Sequence, residues 1–151
     1  MTAQSMQIYE VFIKAAPELI WEAITTPELT ARYFHGARIQ VTADHYLSHG
    51  PDGDVWGDGP VLESDPPRRL VHEWRSLYDP ELAKEEPSRV TWEIEPKEGG
   101  FCLLTLTHDK LDGAPATAES VSGTGWMFVL SGLKTLTETG VPMTERRTLS
   151  A

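Results

Sequence analysis

The sequence predicts an α+β fold: a curved antiparallel sheet of about six to seven strands with one long C-terminal helix laid across its concave side. Three observations carry this. Between residues 37 and 108, apolar residues alternate at period two between glycine- and proline-rich turns, the pattern of antiparallel strands with one buried face. The helical spacing before that region is short and interrupted by Pro27. The last apolar segment, Ala116 to Thr139, repeats at three and four residues instead.

Gln7 to Lys14 places Tyr9, Val11 and Ile13 on one face of a first strand. Ala16-Pro17-Glu18 opens a helix, because proline is tolerated in a first turn and an acid is favourable at the positive end of the dipole. Leu19, Ile20, Ala23 and Ile24 are its apolar stripe; Leu29, Tyr33 and Phe34 form a second stripe after Thr26-Pro27-Glu28. Proline deletes a backbone donor and clashes with the turn before it, so the two helices make a V. Ala37 to Thr42 is the next strand, Tyr46 to Ser48 a weaker one, and Gly50-Pro51-Asp52-Gly53 a turn. In Val55 to Glu63, Gly57, Gly59 and Pro60 predict a bulge or an edge.

Leu70 to Leu77 puts Leu70, His72 and Trp74 on one face, with Glu73 and Arg75 on the other. Tyr78 to Ser88 is acidic and turn-rich and reads as a mobile connection with room for one helical turn. Arg89 to Glu95 alternates with Val90, Trp92 and Ile94 inside, and Lys97 to Gly100 forms a hairpin turn. Phe101 to His108 returns with Cys102, Leu104, Leu106 and His108 on one face. The closing segment reads as a single helix of roughly 36 Å, with Trp126, Val129, Leu130, Leu133 and Leu136 as its stripe. Gly123, Gly125 and Gly132 each cost about 1 kcal/mol there relative to alanine, which implies close backbone approach or open space beside the helix. Residues 140–151 read as a frayed tail. One domain is expected over 1–151, with its core at about 7–139.

The formal charge of −10 argues against binding nucleic acid or an anionic membrane unaided, since phosphates would be repelled. Neither a membrane-spanning run nor a secretory leader is visible, and a single cysteine fits a reducing compartment, so a cytoplasmic location is expected.

The residues Ala16-Pro17-Glu18-Leu19-Ile20-Trp21-Glu22-Ala23-Ile24-Thr25 resemble the opening motif of the START-like (SRPBCC) superfamily. Gly59 to Glu63 followed by Asp65 to Arg75, Thr105 to His108, and Gly125-Trp126 are similar to the AHSA1-like family, the homologues of the activator of Hsp90 ATPase. The resemblance spans about residues 7 to 139. It implies a helix-grip fold with a cavity for a hydrophobic ligand. It does not imply one activity, because the superfamily includes lipid and hormone carriers, polyketide cyclases and Hsp90-stimulating domains.

The five histidines, His35, His45, His49, His72 and His108, show no paired metal-site spacing, and no metal or cofactor is expected. His72 and His108 fall on inner faces, where they are either satisfied core histidines or polar anchors in an apolar cavity. Tyr33, Phe34, Tyr46, Trp56, Trp74, Trp92 and Trp126 are either core or a stacking surface for a planar ligand. With Leu104 and Leu130, these residues are the expected cavity lining, and Trp126 is the leading candidate. Cys102 reads as an inert buried thiol, and no catalytic residue is assigned.

The leading expectation is a binding protein for a hydrophobic small molecule, lipid- or polyketide-like. One alternative is a chaperone-linked or stress-response protein-interaction domain. Another is an enzyme using His72 or His108 as general base. An exposed edge strand leaves a homodimer open.

Overall fold

The computed structural model describes residues 5–122 and 124–144. The expectations placed on Gly123 and on residues 145–151 of the tail lie outside the described residues. In chain order the elements are β1 (Met6–Ile13), α1 (Pro17–Thr25), α2 (Pro27–Thr30), β2 (Arg38–Val41), β3 (His45–His49), β4 (Val55–Asp65) and β5 (Arg69–Ser76). Then follow α3 (Pro80–Ala83), β6 (Ser88–Lys97), β7 (Phe101–Asp109), α4 (Pro115–Val121) and α5 (Thr124–Thr139). The strands form one seven-stranded antiparallel sheet in the order β1-β7-β6-β5-β4-β3-β2. This is the α+β, helix-grip architecture expected.

Alternation places Tyr9, Val11 and Ile13 against Leu106, Leu104 and Cys102, and these in turn beside Trp92, Ile94 and Pro96. The same inner face packs against Trp126, Val129, Leu130, Leu133 and Leu136 of α5, all buried in one core with Ile20, Ala23 and Ile24 of α1. Gly132 lets α5 approach closely, since a Cβ there would sit 3.0 Å from the Tyr33 Cβ. The break between α1 and α2 falls at Thr26, whose backbone is extended ahead of Pro27.

Two expectations are corrected. The closing segment is two helices, not one: Ser122 is extended (φ −74°, ψ 172°), its N–H ends α4 on Ala118 O, and its carbonyl accepts from Gly125 N. Serine competes for backbone hydrogen bonds and weakens a helix interior. The Tyr78–Ser88 connection is pinned rather than loose. Glu85 accepts hydrogen bonds from Ala116 N, Thr117 N and the Thr117 hydroxyl at 2.7, 2.9 and 2.7 Å, which caps α4. Burial works against the Glu85 charge, but these bonds outweigh it and hold the carboxyl below its usual range.

The bulge expected within Val55 to Glu63 is present in β4, with its register shifts beside the glycines rather than at them. The shifts flank Trp56, between Ser48 and His49 of the partner strand, and Leu62, between Val61 and Glu63. Gly57 and Gly59 serve close approach instead. A Cβ on Gly57 would lie 2.8 Å from Arg75 O, and one on Gly59 2.3 Å from Glu73 O. Gly59→Ala is therefore expected to cost about 1–3 kcal/mol, the usual penalty for overpacking. It would be read as a lower urea midpoint, and an unchanged midpoint would show that β4 can move away from β5 freely.

Candidate functional site

Inner positions of β3, β4 and β5 form two rows across the sheet. Ser48 pairs with Gly57 and Gly57 with Ser76; Tyr46 pairs with Gly59, which lies beside Trp74. The middle strand contributes no side chain to either row, so a hollow remains above it. The bulge next to Gly57 turns Trp56 toward the same hollow, and Gly50 leaves room for its indole, since a Cβ there would meet the ring at 2.2 Å. Phe34, His35 and Ala37 also line the hollow, as do Gly125, Trp126 and Val129 of α5, and the Phe34 and Trp126 rings meet edge to face at 5.8 Å. Tyr78, Ser120 and Val121 stand at the α4 end, where the Tyr78 and Ser120 hydroxyl oxygens are 3.5 Å apart. The cavity measures about 350 Å³ and is mainly apolar.

Of the residues expected to line a cavity, Phe34, Tyr46, Trp56, Trp74 and Trp126 do so. Tyr33, His72, Trp92, Leu104, His108 and Leu130 are not among its lining; they are buried in the core behind it. Tyr33 donates to Ala23 O at 2.8 Å and ties α1 to the segment after α2. Sequence reasoning missed Ser48, Ser76 and Val129 as wall residues, and His35 as more than a metal candidate. His35 has a left-handed backbone (φ 57°) and stacks on Phe128 with ring centroids 5.3 Å apart. Burial lowers its pKa. A left-handed φ is not legible from residue type when the residue is not glycine.

The aromatic wall is braced from behind by two indole–imidazole pairs. Trp126 Nε1–H donates to His108 Nδ1 at 3.0 Å, and His108 Nε2 lies 2.7 Å from Ser88 Oγ. Trp92 Nε1–H donates to His72 Nε2 at 3.1 Å, while His72 Nδ1 meets Glu73 O at 3.0 Å. An indole N–H only donates, so each acceptor nitrogen carries a lone pair and each ring is neutral. His72 is thereby the Nδ1–H tautomer and His108 the Nε2–H tautomer. Burial pushes His72 down to about 4, with the Glu73 carbonyl pulling the other way. Burial, then the neighbouring His72, pushes His108 down to about 3.

A general base needs a free lone pair in reach of its substrate. Both lone pairs are engaged and both rings lie outside the cavity lining, so the geometry does not support the catalytic reading of these histidines. Cys102, buried, directs its thiol to Ala15 O at 3.3 Å. Burial, then the Glu18 charge, raises its pKa, as fits an unreactive thiol. Among the described residues, no group of three or more His, Cys, Asp or Glu side chains is placed to hold a metal, and no helix is long and apolar enough to cross a membrane.

A family model described as activator of Hsp90 ATPase homolog 1-like protein matches residues 14–138. The chain belongs to this family. Its fold is shared with protein MLL2253 from Mesorhizobium loti at 22% identity and a TM-score of 0.69, covering 87% of this chain and 95% of that one. It is shared with the Aha1 dimer from Colwellia psychrerythraea at 18% identity and a TM-score of 0.68, covering 91% and 98%. An HSP90 activator from Plasmodium falciparum matches at 20% identity and a TM-score of 0.60, covering 88% and 87%. Comparison with curated proteins gives no match. As a homolog 1-like domain, the chain has a fold that suits both ligand-binding and Hsp90-activator-like roles.

The neutral histidines carry a pH dependence. The unfolded chain takes up protons at the ordinary histidine pKa of about 6.5, whereas the folded chain does so only near 4 and 3. Stability is therefore full above the unfolded value and lost as pH falls below it, by about 1.4 kcal/mol per pH unit for each histidine. Urea midpoints between pH 7.5 and 5.5 are expected to show this fall ahead of carboxylate titration. Trp126→Phe, which frees His108 Nδ1 to accept a proton inside the fold, is expected to make the fall shallower while the His72 share remains.

Proposed function

We propose that the chain binds a small hydrophobic molecule with aromatic character in the cavity between the sheet and α4–α5. The observation that carries this is an unfilled space of about 350 Å³ walled by Phe34, Tyr46, Trp56, Trp74 and Trp126. Small-molecule sites measure about 300–1,000 Å³ and combine apolar walls with a few polar groups, and protein interiors otherwise pack with few voids larger than a water. The walls are aromatic faces rather than aliphatic chains, which favours a flat ring system over an alkyl tail.

A second reading has its own support. The family description and the Plasmodium falciparum relative are tied to Hsp90, so a chaperone-linked protein partner is the alternative role, and the Colwellia psychrerythraea dimer makes self-association its companion. At the β1 edge, Lys134 Nζ donates to Phe12 O at 2.7 Å and Glu138 accepts from Lys14 N at 2.8 Å, which blunts that end of the edge against strand addition.

Titrating planar aromatics while following tryptophan fluorescence tests the first reading, because indoles form three of the walls. Quenching with saturation and a raised melting temperature are expected. Val129→Phe, which fills the space from α5, is expected to weaken binding at least about tenfold while the chain stays folded. Equal binding by that variant would place the ligand elsewhere.

A further inference from the structure

We propose that the ligand is an uncharged, flat aromatic molecule carrying a carbonyl-type oxygen on its edge, received by the Ser48 or the Ser76 hydroxyl on the sheet floor. This rests on the cavity being the binding site. The two serines stand on β3 and β5 with Gly57 between them on β4. No side chain separates them, and neighbouring strands about 4.8 Å apart put their backbones roughly 10 Å from each other, which suits the edge of a fused ring system.

Both hydroxyls are buried, Ser48 at 9% and Ser76 at 4% exposure, and both line the cavity. The Ser76 oxygen accepts from Trp74 Nε1–H at 3.2 Å, which leaves its own proton to give. The Ser48 hydroxyl has no hydrogen-bond partner among the described residues, although it is more than nine-tenths buried. A buried hydroxyl is normally paired, so a donor directed at an aromatic hollow calls for an acceptor brought by the occupant.

Charge decides the rest of the class. Among the described lining residues Arg75 is the only cation. By alternation it belongs to the outer face, where its Nε and Nη2 donate to Asp58 Oδ1 at 3.3 and 3.2 Å. A carboxylate entering the hollow would find no free positive charge, and an unpaired buried carboxylate is strongly disfavoured. A fatty-acid-type anion is thereby selected against, and a neutral ketone- or quinone-type oxygen is selected for.

Fluorene and fluorenone share one ring skeleton and differ in a single carbonyl, and fluorene carboxylate supplies the anion. Tryptophan quenching and calorimetry with the three probes would be run on the wild type, Ser48→Ala, Ser76→Ala and the double variant. Fluorenone is expected to bind the wild type about tenfold more tightly than fluorene, with the carboxylate weakest. In the double variant the ratio of fluorenone to fluorene is expected to fall to about one. Equal binding of fluorene and fluorenone to the wild type would overturn the oxygen-receiving floor and leave the cavity reading intact. Tightest binding by the carboxylate would overturn the neutral class. Binding of none of the three would remove the cavity reading and this inference with it. The wild-type comparison decides even if the double variant fails to fold.

Discussion

The structure depends on how β4 crosses the sheet. At two successive inward positions it carries glycine, and at each the backbone of β5 comes so near that a Cβ would strike a carbonyl oxygen. Close approach and missing side chains are one fact with two consequences. The strand bends tightly enough to curl the sheet around α5, and the concave floor beneath it is left bare. Tyr46 and Ser48 on β3 and Trp74 and Ser76 on β5 then face each other across a strand that offers only backbone. A side chain at either glycine would flatten the bend and fill the hollow together.

Behind that floor, the core is closed by polar pairs rather than by hydrocarbon alone. Two tryptophans and two histidines, contributed by β5, β6, β7 and α5, are joined by indole-to-imidazole hydrogen bonds inside an apolar cluster. Each pair satisfies one donor and one acceptor and leaves the second imidazole nitrogen to Glu73 O or Ser88. Leaving such a group unpaired costs about 1–3 kcal/mol, so register and tautomer are specified together. The pairs also set the angle of Trp126, whose ring contacts Phe34, Trp74 and Trp92 at centroid distances of 5.8, 5.3 and 5.8 Å.

The architecture was legible because it rests on periodicity. Alternation in residues 89–95 and 101–108, and the 126-129-130-133-136 stripe, each declare a buried face without reference to the rest of the chain. The cavity was legible only where its walls are aromatic, as with Phe34, Tyr46, Trp56, Trp74 and Trp126. What separated Trp56 from Trp92, or Ser76 from an ordinary strand serine, is the pairing of β3, β4 and β5 and one bulge, and a local pattern does not encode cross-strand register. The same limit hid the fate of Glu85. Its cap on α4 joins residues 31 and 32 positions apart, so the segment read as a mobile acidic loop. The continuous helix failed for a different reason: the stripe from Trp126 to Leu136 does not show where its helix begins, and Ser122, whose hydroxyl donates to Glu119 O at 3.0 Å, turns to extended backbone at the end of α4.

A hollow of this size survives only if its walls resist collapse, because vacated space costs dispersion contacts and neighbouring side chains ordinarily rotate into it. Here three of the five large aromatic wall groups are held in place by a hydrogen bond or a stacked partner. Trp126 is held by His108 and Trp74 by Ser76. Tyr46 lies flat on His72, with centroids 3.7 Å apart and planes 8° apart, and His72 is itself fixed by Trp92. Swinging either indole inward would break a hydrogen bond and strand a polar atom in the core, a loss of about 1–3 kcal/mol for each. Moving Tyr46 would uncover the stacked imidazole. Filling the cavity from within is opposed at each of these rings, so the space is kept by the same polar core that defines the fold, and an aromatic guest meets surfaces already set in place.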